Sequence, residues 1–444
     1  MCESALIYAF KATMQRLIMP DFTPEQLRHY LPAASAVEAT TGVWWIGFSG
    51  GLDSTVLLHA LSQLKLPVTL KALHINHQIS PNADAWQQHC KAVCCALDTA
   101  FYAEKVHVKN TGKGIEDAAR EARYQVFQRY VGQNDYLLTA HHANDQAETL
   151  LLRLIRGTGP RGLAAIASER ELVNGGKLIR PLLSFARADL EAYACAQQLT
   201  WVEDESNKDD HYDRNFLRNQ ILPLLQHRWP AFMRKWQQTA DLCAQQEKLL
   251  AEFAQQDLEK VNPRSERVGQ SIDLVWLKTL SPARRQNLLR VWLRNLGCEL
   301  PESAHWQQLE DQLFHARIDA SVKVAWGKHA LQPYQDRLYL LPAELPSLKL
   351  QFIETNSDNA VCLRAGLPDI HLRPREGGER CKPAGRAHSQ TLKKLLQEYQ
   401  LEPWLRDQLP LVYSRDVLVA VGDLWVCEGY IANSGEAGFK LVWR

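Results

Sequence analysis

The chain has 444 residues, an apolar fraction of 46%, a charged fraction of 23% and a formal net charge of +1. Those proportions exclude a disordered or fibrous chain, and the length exceeds what one hydrophobic core usually serves, so two or three domains are expected. Near-neutral charge excludes a global field for a polyanion, so any nucleic-acid surface must be a local basic patch offset by acids elsewhere.

No run of about eighteen apolar residues is present to span a membrane. Glu3, Lys11 and Arg16 interrupt any signal-like core in residues 1–20, which read as a tail of unassigned role. The ten cysteines are scattered without a C-x-x-C, and Cys90, Cys94 and Cys95 fall in a helical stretch that suits free thiols better than metal ligands. A reduced cytoplasmic setting with no membrane contact is expected, and composition leaves the number of subunits open.

From residue 43 the chain alternates short apolar runs with helical spacing. Val43 to Phe48 reads as a strand and Ser54 to Leu64 as a helix; Leu70 to Ile75 is a second strand, before a helix around Ala83 to Leu97. Phe101 to Val108 and Glu116 to Val131 repeat the pattern, and Tyr136 to Thr139 leads into a helix over Asn144 to Arg156. This is the signature of a doubly wound α/β domain, a parallel sheet covered on both faces that binds ligands beyond its strands' carboxyl ends. Residues 185–258 read as almost entirely helical, and the breaker cluster Asn262-Pro263-Arg264-Ser265 follows. Short strand-like runs at Leu338 to Leu341 and Leu348 to Ile353 precede a small α+β module with a glycine-rich loop and one helix near Leu392 to Tyr399. The expected division is an extension over 1–38, a catalytic domain over 39–230, a mainly helical middle domain over 231–345 and a small α+β C-terminal domain over 346–444.

Ser49-Gly50-Gly51-Leu52-Asp53-Ser54 joins the first strand to its helix. Two glycines let the backbone turn tightly and aim successive N–H groups at an anion, and the helix start adds a favourable dipole. An acid inside a phosphate loop makes sense with a metal, so Asp53 implies Mg2+ on a polyphosphate. Two other loops fail on context. The Gly-Lys pairs at Gly112, Gly176 and Gly327 lack the Ser/Thr that a Walker loop requires. Gly157-Thr158-Gly159-Pro160-Arg161-Gly162 satisfies G-x-G-x-x-G, but it follows a helix and contains a proline.

The S-G-G-x-D-S loop resembles that of the pyrophosphate-loop ATPases, which adenylate a substrate oxygen and release pyrophosphate. Further segments narrow the likeness: His74-Ile75-Asn76-His77, Gly114-Ile115-Glu116 with Ala119-Arg120 and Arg123-Tyr124, then Ala140 to Thr149. Leu154 to Gly159, Arg180 to Leu183, Asp204 to Asn207, Arg214-Asn215 and Arg218-Asn219 follow in order, as do Leu392 to Leu395 and Pro403-Trp404 near the end. In that order the chain is similar to the tRNA(Ile)-lysidine synthetases, densely over 40–240 and more loosely over 365–430. Where that family usually carries two adjacent acids, this chain has Asn144-Asp145.

The resemblance implies an adenine nucleotide alpha hydrolase-like fold and a definite reaction. ATP adenylates the carbon-2 oxygen of the wobble cytidine in an isoleucine tRNA with a CAU anticodon, and the side-chain amine of L-lysine displaces AMP to leave lysidine. On this reading ATP contacts Ser49 to Ser54, His74, Arg120, Arg156 and Gly157. Lysine and tRNA fall to Asp145, Glu148, Arg214 and Arg218.

The residues suit such chemistry on their own terms. Drawing a neutral amine from a lysine of pKa about 10.4 costs about 4.6 kcal/mol at pH 7, and a general base contributes about 10² to 10⁴ in rate. Asp145 and Glu148 are three apart at a helix start, hence on one face, and can hold ammonium groups; Asp53 is a rival for the base. His74, His77, His141 and His142 have no cysteine in zinc-site spacing, so nucleotide or substrate contacts, or packing, suit them better. Arg380, Lys382, Arg386, Lys393 and Lys394 lie in a basic stretch with few acids, a plausible grip on tRNA backbone, with a solvated loop as the alternative. Two rival functions are a tRNA thiolation enzyme, whose catalytic cysteines are missing here, and a non-catalytic RNA-binding module.

Overall fold

The structure is a computed structural model and describes residues 22–32, 42–108, 115–205, 209–314, 322–355, 362–433 and 435–444. The tail over 1–20, Gly114 and Asn207 lie outside the described residues. The chain divides into two compact units, Met1–Leu249 and Leu250–Arg444.

In the first unit a short helix α1 (Pro24–Arg28) opens on a capping box, with Thr23 and Gln26 bonding each other's backbone N–H. The sheet then follows as β1 (Val43–Gly47), β2 (Thr69–Asn76), β3 (Ala100–Lys105), β4 (Tyr136–Leu138), β5 (Glu169–Glu171) and β6 (Lys177–Ile179). Between them lie α2 (Leu52–Gln63), α3 (Ala83–Ala96), α4 (Ile115–Tyr130), α5 (Ala143–Ile155) and α6 (Pro160–Leu163). Spatial order is β3-β2-β1-β4-β6-β5, parallel except for the β5–β6 hairpin. Chain order runs outward in opposite directions from β1 and β4, which makes their boundary the switch point where such sheets bind ligands.

The side chains of β1 explain the two-sided cover. Trp44 and Ile46 enter one core with Val56 and Leu57 of α2 and Cys90 of α3. Trp45 points the other way, into a core with Leu73, Leu137 and Val126 and Phe127 of α4. Alternation with the three middle residues all buried is what a central parallel strand requires. Asp135 fixes the strand's start, accepting from Val43 N at 2.7 Å and Trp45 Nε1 at 3.2 Å.

After β6 come α7 (Arg187–Ala196), α8 (Asp213–Phe216), a π-helical turn (Leu217–Ile221), α9 (Leu222–Arg228) and the long α10 (Phe232–Lys260). Phe232 and Leu222 pack on Ala147 of α5, which holds α9 and the start of α10 against that helix.

The second unit holds three cores, one of them built from both of its halves. Helices α11 (Leu274–Thr279), α12 (Pro282–Asn295) and α13 (Ser303–Leu309) cover an antiparallel sheet of β7 (Arg264–Ser265), β8 (Gln270–Asp273), β9 (Val324–Trp326), β10 (His329–Tyr334) and β11 (Arg337–Pro342). Leu288, Leu289, Trp292 and Leu293 form the buried stripe of α12 against Ile272, Leu331 and Leu338. The segment expected as mainly helical therefore carries a five-stranded sheet beside its helices. Its strands are only two to six residues long, too short to give a clear alternating pattern in the sequence.

Beyond it are β12 (Leu350–Thr355), β13 (Leu363–Arg364), β14 (Ile370–Arg373), β15 (Arg380–Cys381), β16 (Gln390–Thr391), α14 (Leu392–Glu398), β17 (Leu411–Ser414), β18 (Val417–Val421), β19 (Trp425–Val426) and β20 (Gly438–Trp443). Arg267 reaches Asp423 through both guanidinium amines at 3.0 Å, a bidentate pair that ties the two halves of this unit together.

Candidate active site

The loop between β1 and α2 is built around Gly50, whose φ of +85° lies in the left-handed region. A Cβ there would stand 2.6 Å from Cys90 Sγ and 3.2 Å from Val202 Cγ2, so the loop also needs glycine for space. Val202 N donates to Gly50 O at 2.9 Å and pins the turn from outside. Inside it, the Ser49 and Ser54 hydroxyls lie 3.0 Å apart, and Ser54 donates to Gly51 O at 3.0 Å. Gly51 is the N-cap and contributes no side chain, so the first amides of α2 are left open for an anion. His74 sits behind this loop and is buried; its Nδ1 donates to Phe48 O at 2.9 Å, and burial lowers its pKa. It supports the backbone just ahead of Ser49.

Across the switch point, His142 caps α5. Its Nδ1 accepts from Asn144 N at 3.2 Å, while Asp145 Oδ2 accepts from His142 N at 3.0 Å. The opposite ring nitrogen, Nε2, lies 3.5 Å from Asp53 Oδ2 and 3.6 Å from Asp145 Oδ2. Burial opposes a charge on this ring, but Asp145 and Asp53 outweigh it and raise the pKa above the ordinary imidazole value. An Nδ1 that accepts an amide N–H carries no proton, so the Nε2–H tautomer satisfies the cap and both carboxylates together. Nothing in the sequence marked His142 for this role, because a histidine N-cap has no distinctive spacing. Asn144, standing where the family usually has an acid, accepts from Arg187 N at 3.1 Å and ties α5 to α7.

Asp145 and Glu148 do share one face of α5, as their spacing requires, and two arginines meet them there. Glu148 is fully buried; Arg214 Nε donates to Oε2 at 2.9 Å, and Arg218 donates to Oε1 at 2.6 Å and to Oε2 at 2.9 Å. Arg218 also reaches Asp145 Oδ1 at 3.3 Å. Arg214 lies in α8 and Arg218 in the π-helical turn after it, four residues apart and so on one face. Burial works against the Asp145 charge, yet His142, His141 and Arg214 hold its carboxyl well below the usual range. His141 is pushed down to about 4 by burial, reinforced by Arg180, Arg214 and Arg120 against Asp145.

Asp53 fits a cation. Its Oδ1 is buried and finds no hydrogen-bond partner among the described residues. Among the described residues no group of three or more His, Cys, Asp or Glu side chains comes together as a metal cage. A single carboxylate on a polyphosphate-bound ion is the arrangement Mg2+ favours.

Of the other expected residues, Arg120 is near enough to His141 to act on it by charge. Arg120 is exposed on α4, its guanidinium 5.3 Å from the centre of the Tyr124 ring. Arg156 and Gly157 follow the far end of α5, roughly 16 Å along the helix axis from Asp145 at about 1.5 Å per residue. In the second unit Arg380 donates to Ser389 O at 3.1 Å, Arg386 pairs with Glu398 at 2.5 Å, and Lys382 lies 3.8 Å from Glu428. Lys393 and Lys394 are exposed on α14.

A parallel sheet carrying this glycine loop at its switch point defines a nucleotide-binding domain of the pyrophosphate-loop class, and residues 25–225 match the family model of the PP-loop domain. Residues 273–339 match the TilS substrate binding domain and 370–443 the TilS substrate C-terminal domain. The chain is 37% identical over 442 residues to the tRNA(Ile)-lysidine synthase of Coxiella burnetii, covering 95% of this chain and 96% of that one. It is 40% identical over 418 residues to that of Serratia proteamaculans, covering 90% and 95%, and 38% identical over 430 residues to that of Escherichia coli O157:H7, covering 90% and 96%. The chain belongs to the tRNA(Ile)-lysidine synthase family, and it is an ATP-using ligase that modifies tRNA.

Proposed function

We propose that this enzyme joins L-lysine to carbon 2 of the wobble cytidine in an isoleucine tRNA with a CAU anticodon. The cytidine carbonyl oxygen attacks the α-phosphorus of ATP, and pyrophosphate leaves. The ε-amine of lysine then attacks carbon 2, the C–O bond breaks, AMP departs and lysidine remains. The observation that carries this reading is the convergence at one switch point of the open glycine loop, an unpartnered Asp53 oxygen and the Asp145–Glu148–Arg214–Arg218 cluster.

Each residue has a part in that scheme. Ser49, Gly50, Gly51, Leu52 and Ser54 cradle the pyrophosphate through the loop amides. Asp53 would hold Mg2+, which neutralises phosphate charge when bound. Asp145 holds the incoming ammonium by charge, since a carboxyl kept this acidic is a poor proton acceptor. Glu148 has both oxygens engaged by guanidinium groups, so its part is to fix Arg214 and Arg218 beside the reacting atoms. Lys393, Lys394, Arg380, Lys382 and Arg386 serve the tRNA backbone. A cytoplasmic location is supported by the nine described cysteines, all free thiols.

The test separates the half-reactions. Asp53→Ala should abolish AMP release, whereas Asp145→Asn should keep tRNA adenylation and raise the lysine requirement by about 10-fold or more, the loss of roughly 1.4 kcal/mol of binding. Loss of adenylation in Asp145→Asn with unchanged lysine dependence would reassign that side of the site to the nucleotide.

A further inference from the structure

Two thiols of the second unit share the wall of one cavity. Cys381 closes β15, and Cys427 directly follows β19. The chain after Cys381 runs antiparallel beside Cys427: Ala384 N donates to Val426 O at 3.0 Å, Glu428 N donates to Lys382 O at 2.8 Å, and Pro383 pairs with Cys427. This pairing sets the two thiols on neighbouring antiparallel segments, and Trp425 Nε1 donates to Cys381 Sγ at 3.4 Å. Both residues are buried, at 6% and 4% exposure, yet both line a cavity of about 440 Å³ shared with Arg380, Lys382 and Tyr430.

Burial alone makes a thiol inert by disfavouring the thiolate. Cys90 and Cys94 show this, both pushed up to about 12. Cys381 behaves differently. The hydrogen bond from Cys427 lowers its pKa to about 7 against the effect of burial, with help from the Trp425 N–H, while Cys427 holds its own proton more tightly. One partner is thus suited to be the attacking thiolate and the other the resolving thiol.

We propose that Cys381 and Cys427 form a peroxide-oxidisable modification site that closes to an intramolecular disulfide. A small neutral peroxide enters the cavity, and the Cys381 thiolate attacks one oxygen, breaking the O–O bond and releasing hydroxide. The Cys427 sulfur then attacks the Cys381 sulfenic sulfur; the S–S bond forms, the S–O bond breaks, and the thiol proton leaves with the hydroxide as water. Two thiols and one hydrogen peroxide give one disulfide and two waters. The link ties β15 to the segment after β19 and restrains Arg380 and Lys382. That consequence rests on the reading of this module as a tRNA grip; the chemistry does not.

The full-length protein is treated with graded hydrogen peroxide, then alkylated under denaturing conditions and mapped by peptide mass. A Cys381–Cys427 linked peptide short of two hydrogen atoms is expected, with Cys90 and Cys94 still alkylated. Cys427→Ser should accumulate a Cys381 sulfenic acid that a dione probe captures, and Cys381→Ser should give neither product. Circular dichroism confirms that each variant is folded. Free Cys381 and Cys427 at peroxide levels that already oxidise the exposed Cys95 and Cys195 would overturn the site. A linked peptide with unchanged tRNA affinity would overturn the proposed effect on RNA and leave the chemistry standing.

Discussion

Glu148 takes two hydrogen bonds from one guanidinium, Arg218 Nε at 2.6 Å on Oε1 and Nη2 at 2.9 Å on Oε2, while sharing Oε2 with Arg214 Nε at 2.9 Å. A fully buried carboxylate held this way is compensated only while both arginines stay in place, and each arginine depends on it in turn.

Glu148→Ala should therefore destabilise the first unit by about 3 kcal/mol, the lower end for stripping one partner from a buried ionic cluster. Denaturant unfolding measures it. Glu148→Gln keeps the shape and loses the charge, so it should fold better than the alanine variant while still letting Arg214 and Arg218 drift. Wild-type stability in the alanine variant would show that the arginines find other partners.

Gly50 is constrained twice, by its φ of +85° and by Cys90 Sγ only 2.6 Å from where a Cβ would lie. Gly50→Ala should cost ATP affinity strongly. Adding Cys90→Ala relieves the contact but leaves the φ, so the double variant should recover only in part. Full recovery would mean that crowding, and not backbone conformation, sets the requirement.

His141 and His77 are both pushed down to about 4, chiefly by burial. The unfolded chain protonates such rings near pH 6.5, so between about 6.5 and 4 it binds more protons than the folded chain, and stability falls as pH is lowered. For His141 the full effect is on the order of 3 kcal/mol. Melting temperatures measured from pH 7.5 to 4.5 should fall less steeply for His141→Gln than for wild type. Parallel curves would show that His141 is protonated in the folded state.

In the basic C-terminal stretch, Lys393 and Lys394 are exposed and make no ion pair among the described residues, whereas Arg386 and Lys382 have acidic neighbours. Replacing both lysines by alanine should flatten the salt slope of tRNA binding by roughly 1.5 units, at about 0.7 to 0.9 per phosphate contact. ATP affinity should not change. An unchanged slope would mark these lysines as merely solvated.

What could be read in advance tracks how local each signal is. The loop Ser49 to Ser54 is contiguous and sits between a strand and a helix, so its place at the sheet edge was legible in the sequence. Asp145 and Glu148 are three apart on one helix, and their shared face follows from helical geometry. Their partners Arg214 and Arg218 lie more than sixty residues away, and no spacing rule pairs them. Arg156 and Gly157, expected at the nucleotide, follow the C-terminus of α5, eleven and twelve residues beyond Asp145. His142 was legible as a histidine near the site and not as the cap that spans Asp53 and Asp145.

The central claim is that the convergent loop and cluster transfer lysine to one cytidine of one tRNA. The direct measurement incubates the enzyme with ATP, labelled L-lysine and bulk tRNA, then digests the tRNA and maps the labelled nucleotide. Label confined to the wobble cytidine of the isoleucine tRNA with a CAU anticodon, dependent on ATP and lost in Asp53→Ala, is the predicted result. Label at another nucleotide, or AMP release with no lysine incorporated, would contradict it.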